Sequence, residues 1–514
     1  MIKKIRERNI FSKRYFFFFF LLLSFVRICS ESSYNSQSYE YDLIIIGSGI
    51  VGMRAAIKAH DLGKKVLIIE KNKITKTTIL SSNLSYIVLG QYAEYMSMRD
   101  HLKDFCDMPL TYDLIDQKSF FKCIRKMSLR AYRYMDQKIK DSEKIEQLVA
   151  QVKFLDKYTI EANGKKIKAR FFLIASGVDI GKPELQGIEN VPYYTRENFL
   201  NNGTLPASII IIGRGVFSIN LASMLQQLGV QVTLIVENST LLSFFDYEIV
   251  EVLIQLLQQK GIAVYCNMDL SSIEKNNGKV SLFMKNKAQK NYIIEAESIF
   301  FHTNLAPNVN GLAIGNAGVV CKKQKNPLPH YYENSYLCKT LEVSPFLQTA
   351  QPNIYVAGEA SGVDIVGNIG NYQADISVKN MFAKDGLLQA AHYSLMPKSM
   401  LIGGVYFSSK GITENEGMRQ LDGDSLIYTY EDYFSEKALI KKDFPSIVKF
   451  VCTKSGIILG VHAVSYYAKN LIENIQIGYD LGLLHKKFDI NLTIFNDCKD
   501  MLMFVSKKCA NESI

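Results

Sequence analysis

Gly47, Gly49 and Gly52 stand in a G-x-G-x-x-G spacing, and Glu70 follows 18 residues after the last of them. That order suits a pyrophosphate. The first glycine permits a tight turn, the second lets backbone approach the phosphates, and the third lets a helix pack closely on a strand. Unpaired N–H groups and the positive end of a helix dipole then meet the ligand's charge, and Glu70 offers a carboxylate to a ribose 2′-hydroxyl. About 165 residues on, Gly213, Gly215 and, in third place, Ser218 repeat the arrangement, with Glu237 as the acid. Serine is small enough to keep the helix close to the strand. Glu237 would repel a 2′-phosphate, and Asn238, Ser239 and Thr240 supply no arginine, which favours NAD(H) over NADP(H).

The elements around these residues follow from hydrophobic pattern. Leu43-Ile44-Ile45-Ile46 is a continuous apolar, β-branched run of the kind that parallel strands buried on both faces require. Met53 to His60 has helical spacing, Gly63 stops it, and Val66 to Glu70 reads as a second strand. Ser208–Ile212, a helix over Ile219–Gln227 and Val232–Glu237 form the same unit again. The fold class expected is therefore α/β, with two Rossmann-like three-layer domains. Two dinucleotides on one chain bring a flavin against a nicotinamide, and hydride transfer is their natural chemistry. Phe171–Gly177, ending in small residues, and Asn353–Glu359 read as further buried strands on either side of the second unit, so that unit is expected as an insertion in the first sheet. From about Gly403 shorter strands and a helix predict a separate α+β domain.

Composition narrows the alternatives. The chain has 514 residues, 48% apolar and 21% charged, with 11 prolines and one long apolar run, which excludes disorder and a polytopic membrane protein. Six of the ten net positive charges fall in the first 30 residues, leaving too little elsewhere to call for nucleic acid. That basic start precedes the 12-residue apolar run Tyr15–Val26 and small residues near Cys29, which reads as a signal peptide or signal anchor over 1–30. The nine cysteines form no CxxC pair and read as isolated small hydrophobes. The seven histidines have no ligand spacing, so no metal is expected. No GxSxG elbow supports a hydrolase.

Across roughly residues 40 to 510 the chain resembles the two-dinucleotide flavoprotein (pyridine nucleotide-disulfide oxidoreductase) family, and within it the soluble pyridine nucleotide transhydrogenases. The motifs that carry this, in family order, are Gly47-x-Gly49-x-x-Gly52 with Glu70, Ala175-Ser176-Gly177, Gly213-x-Gly215-x-x-Ser218, Leu241 to Glu248, Pro307-Asn308, Gln348 to Gly358 and Gly460-Val461-His462. The resemblance implies an FAD-binding domain (40–190 and 345–385), an NAD(P)-binding domain (191–344) and a dimerisation domain (400–514). It implies FAD and NAD(H) or NADP(H) as cofactors, with a homodimer as the working form. Gly47, Gly49, Gly52, Glu70, Ala175, Gly177, Gly358 and Glu359 would hold FAD, and Gly213, Gly215, Ser218 and Glu237 the nicotinamide nucleotide.

The chain departs from the family where the chemistry happens. In place of the paired-cysteine segment it reads Lys73 to Asn83, with no cysteine between Cys29 and Cys106. In place of the C-terminal His-Pro base it reads Phe495-Asn496-Asp497-Cys498, and no histidine follows His485. Loss of both is coherent, since a base that deprotonates thiols serves no purpose where no thiol reacts. The family aspartate after Ala357-Gly358 is Glu359, the family Gly-Arg is Asn304-Leu305, and a helix glutamate is Asn220. No catalytic side chain is named. The expected function is an FAD-dependent NAD(P)H oxidoreductase that delivers hydride to a non-disulfide acceptor, such as a second nicotinamide. The alternatives are a catalytically degenerate FAD/NAD-binding scaffold or sensor, and a dithiol oxidoreductase using Cys106 or Cys498. Export is expected from the N-terminus, against the cytoplasmic or organellar placement common in the family.

Overall fold

The computed structural model describes residues 38–480 apart from 74–84, 93–116, 181–182, 238–240, 243, 304, 323–339, 363–368, 394–395, 403–404, 421–424, 433–445, 454–457 and 466. The expected signal segment, the segment replacing the paired cysteines, Asn304, Cys106 and the stretch at 495–498 lie outside them. The chain divides at Glu40 and Tyr41, and the elements below belong to the second unit.

The first sheet begins with β1 (Tyr41–Ile46), α1 (Ile50–Asp61) and β2 (Val66–Glu70). A helix over 85–92 (α2) and α3 (Gln117–Lys140) precede β3 (Ile145–Val149). A meander of β4 (Val152–Asp156), β5 (Thr159–Ala162) and the long β6 (Lys165–Ile174) follows. The order is β3-β2-β1-β6-β5-β4. Leu43 and Ile45 pack beneath α1, while Ile44 and Ile46 enter a separate core on the opposite face. Burial on both faces is why β1 has no polar alternation.

After β7 (Val178–Ile180) the second sheet is built from β8 (Ser208–Ile212), α4 (Val216–Gln227), β9 (Gln231–Glu237), α5 (Tyr247–Gln259), β10 (Ala263–Asn276), β11 (Lys279–Asn286), β12 (Asn291–Ala296) and β13 (Ser298–Phe301). Its order is β12-β11-β10-β9-β8-β13, with β10, β9, β8 and β13 parallel. The return strand β14 (Leu305–Pro307) pairs antiparallel with β7. Then come β15 (Cys321–Lys322), β16 (Thr340–Leu341) and β17 (Ile354–Val356), which joins the first sheet parallel to β6. The first sheet is thus closed by chain from both sides of the second.

The junction expected at 344 and 345 is corrected by the packing. Val309, Leu312, Ala317, Val319 and Leu341 lie in the core of the first sheet with Ile44 and Ile174, and the Phe154 amide donates to the Leu312 carbonyl at 2.8 Å. The return begins near β14. Cys321 also departs from expectation: it is disulfide-bonded, whereas Cys123, Cys266 and Cys452 form no disulfide.

Helix α6 (Ile369–Met381) leads to an antiparallel sheet of β18 (Lys398–Ile402), β19 (Val405–Gly411), β20 (Ser425–Asp432), β21 (Ser446–Thr453) and β22 (Ile458–Ser465), in the order β18-β19-β22-β21-β20. Helices α7 (Glu414–Gln420) and α8 (Ala468–Asp480) accompany it. Met400, Phe407 and Val464 of this sheet share one core with Leu241, Phe245 and Leu253 of the second fold.

Candidate functional site: two switch points

In an open parallel sheet a ligand binds beyond the carboxyl ends of the strands, where successive connections leave in opposite directions. Two such points occur. In the first sheet the chain leaves β1 through α1 to β2, while β6 flanks β1 on the other side. In the second it leaves β8 through α4 to β9, while β13 flanks β8.

The backbone at the two points is closely matched. The Gly47 amide donates to Ile69 O at 2.8 Å and the Ala175 amide to Ile46 O at 2.9 Å. The Gly213 amide donates to Ile235 O at 3.0 Å and the His302 amide to Ile212 O at 2.8 Å. His302 is therefore the counterpart of Ala175. Gly47 has φ +109°, and a Cβ there would lie 2.4 Å from the Ala175 carbonyl oxygen. A Cβ on Gly52 would lie 2.0 Å from Gly47 O, so a side chain at either position would push backbone apart.

The N-termini of α1 and α4 are open to a ligand. Gly49 and Gly215 are their N-caps, neither helix has a side-chain cap or an acidic first turn, and a Cβ on either glycine would meet nothing within 4 Å. Unpaired N–H groups beside open space form a phosphate cradle. Each point also holds a buried polar atom with no partner, Ser176 Oγ in the first and His302 Nε2 in the second. Such atoms carry a desolvation cost that a ligand can relieve. The residues present fit FAD at the first point and a nicotinamide dinucleotide at the second.

The acids expected for the riboses end their strands as the sequence indicated. Glu70 accepts from the Ser48 amide and hydroxyl, both at 3.0 Å, which holds the carboxylate against the glycine turn. Glu237 ends β9, where burial pushes its carboxyl above the ordinary range and Asp269 adds to the shift. Ser218 is fully buried on α4, and its Oγ lies 3.4 Å from His302 Nδ1. Gly177 follows β6 with φ +69°. Gly358 follows β17 with φ +81°, and its amide donates to the buried Gln373 at 2.7 Å. Asn220 lies on α4 and Leu305 opens β14.

Two residues escaped sequence reasoning. Arg196, in the connection between the folds, donates to both carboxylate oxygens of Glu359 at 2.9 and 3.2 Å. Its carbonyl accepts from Tyr86 Oη of α2 at 2.6 Å. A bidentate, charge-assisted pair of this kind fixes geometry as well as charge, so Glu359 is tied to the interfold connection. Arg196 sits in no motif, and the sequence carries no signal for it. His302 could have been found: it immediately follows the buried run Ile299-Phe300-Phe301, and strand ends line the crevice. Its ring stacks on Phe217 with centroids 4.2 Å apart, and the edge of Tyr86 meets Phe217 at 4.5 Å. Burial pushes the His302 imidazole down to about 3, Arg196 reinforcing and Glu359 opposing, so the ring is neutral.

Two switch points, each with a glycine turn and a strand-ending acid, define a protein of the two-dinucleotide flavoprotein class. The chain belongs to the pyridine nucleotide-disulphide oxidoreductase family, which it matches over residues 41–374; members of this family use FAD with NAD(P)H. It is similar to a mercuric reductase of Lysinibacillus sphaericus, 25% identical over 447 residues that cover 86% of this chain and 78% of that one. It is also similar to a soluble pyridine nucleotide transhydrogenase of Colwellia psychrerythraea, 24% identical over 67% of this chain and 71% of that one. Among solved structures, the HOCl-induced flavoprotein disulfide reductase RclA of Escherichia coli superposes with a TM-score of 0.71 at 18% identity, over 89% of this chain and 97% of that one. That likeness concerns the fold.

Proposed function

We propose that this chain is an FAD-dependent NAD(P)H oxidoreductase whose acceptor is not a disulfide, with a second nicotinamide nucleotide as the acceptor that the transhydrogenase resemblance implies. The observation that carries the reading is the pairing of two complete switch points with a stretch from Cys29 to Cys106 that holds no other cysteine. When bound, FAD supplies two-electron hydride exchange with nicotinamide. The chain's own part is placement. Gly47, Gly49 and Gly52 admit the flavin pyrophosphate to the α1 N-terminus, and Glu70 receives its adenosine ribose. Ala175, Gly177 and Gly358 keep backbone bare around the crevice, and Arg196 holds the charge of Glu359 in a fixed place. Gly213, Gly215 and Ser218 present the α4 N-terminus to the nicotinamide nucleotide, with Glu237 at its ribose. The basic start and apolar run of residues 1–30 support export, and the family resemblance supports a homodimer built on residues 400–514.

The test is turnover of the purified holoenzyme with NADH and thio-NAD+, against NADH and glutathione disulfide, before and after alkylation with iodoacetamide. The reading predicts hydride delivery to thio-NAD+ that survives alkylation, and no disulfide turnover. Disulfide turnover abolished by alkylation would instead favour a dithiol enzyme with relocated cysteines.

A further inference from the structure

The second switch point contains a hydrogen-bonding group that the glycine turn and Glu237 leave unused. His302 follows β13, on the far side of β8 from β9. Glu237 ends β9 and so marks the adenosine side of a dinucleotide laid across this crevice, with the pyrophosphate at the α4 N-terminus between them. The strand on the opposite flank then borders the nicotinamide half. His302 stands there with Nδ1 turned to Ser218 Oγ at 3.4 Å and Nε2 buried without a partner. In the first sheet the same station is Ala175, which has no side-chain polar atom.

We infer that His302 Nε2 makes a hydrogen bond to the nicotinamide half of the bound dinucleotide, at its carboxamide, and so positions that ring; this rests on the function proposed above. Three features support the assignment. Burial keeps the imidazole neutral, and a neutral group suits a neutral amide better than a phosphate. A carboxamide offers both a donor and an acceptor, so it satisfies Nε2 in either tautomer. Phe217 stacks on the face of the imidazole at 27° between planes, which leaves the ring edge that carries Nε2 as the side of approach. Phe217 is itself only partly buried.

The test compares His302→Phe, which keeps a ring stacked on Phe217 but deletes both nitrogens, with His302→Gln, which keeps a hydrogen-bonding amide. Each FAD-loaded variant is titrated calorimetrically with NAD+ or NADP+, whichever the wild type binds more tightly, and with the matching ADP-ribose that lacks nicotinamide. His302→Phe should weaken dinucleotide binding about tenfold, the effect of one lost buried hydrogen bond, and leave ADP-ribose binding unchanged. His302→Gln should recover most of the loss. Equal affinity of wild type and His302→Phe for the dinucleotide overturns the assignment, as does a parallel loss for ADP-ribose. Should neither variant fold, wild-type protein labelled with 15N-histidine decides: the dinucleotide must shift an imidazole Nε2 resonance that ADP-ribose leaves in place, and no such shift overturns it. A wild type that binds neither nicotinamide nucleotide sinks the proposed function itself, a result distinct from all of these.

Discussion

At the scale of residues the two glycine turns look alike in sequence and differ in tolerance. A methyl group on Gly52 would drive into the backbone carbonyl of Gly47 at 2.0 Å, whereas the third position of the second turn already holds Ser218. We expect Gly52→Ala to abolish FAD retention and to lower stability by about 1–3 kcal/mol, the usual cost of forcing atoms into a packed site. Absorbance of the purified variant and its thermal midpoint are the readouts, and a flavin-loaded variant of normal stability contradicts the steric account. Glu237 carries a pH prediction. Burial and Asp269 raise its pKa, so on acidification it loses its charge sooner than an ordinary carboxylate. Repulsion of a 2′-phosphate should then fade, and the ratio of NADPH to NADH affinity should rise as pH falls through that raised value. A ratio independent of pH, or one falling on acidification, contradicts this. The glycines and strand-ending acids were legible because each answers a local demand of turn, helix terminus or ribose. Arg196 and His302 were harder to read because their partners, Glu359 and the crevice, lie far off in sequence.

At the scale of elements, α5, α7 and strands β21 and β22 meet in a charged junction. Lys449 on β21, 1% exposed, donates to Glu248 on α5 at 2.7 Å and also pairs with Glu414 on α7. Asp246, at the N-cap position of α5, accepts from the Glu414 amide at 2.9 Å and faces the buried His462 on β22. The three carboxylates lie within 4.8 Å of one another, and the Lys449 ammonium pairs with two of them. Burial opposes the charge on Glu248, but the hydrogen bond from Lys449, a backbone hydrogen bond and the Lys449 charge together outweigh it and hold its pKa below the ordinary carboxylate range. This stabilisation is therefore present above that range and is lost as pH falls through the depressed value. Because the Glu248 end of the pair is half exposed, Lys449→Met should cost about 2–4 kcal/mol rather than the full cost of stranding a buried charge. Denaturant unfolding near neutral pH tests this, and a change below about 0.5 kcal/mol, the usual size of a surface substitution, contradicts it. The buried runs at β1 and β8 were legible because strands covered on both faces leave no room for polar residues. The return path through 305–344 was not, since β14, β15 and β16 are two or three residues long and carry no period to read.

At the scale of the whole molecule, the two switch points are held to one another. Arg196 ties the interfold connection to Glu359, and the Tyr86 hydroxyl of α2 reaches the Arg196 carbonyl. The Tyr86 ring meets Phe217 at the start of α4, and α2 shares its core with the second fold. The α/β class and the insertion of one fold into the other were legible in the order of the motifs along the chain. This docking was not, because it is made by single side chains at long sequence separation. It bears directly on function, since hydride can pass only if the dinucleotides of the two folds approach each other. The decisive measurement is the visible spectrum of the purified protein, titrated without oxygen first with NADH and then with NADPH. The account predicts a bound flavin whose visible absorbance bleaches on addition of NADH. A bound flavin that neither nucleotide reduces would contradict it.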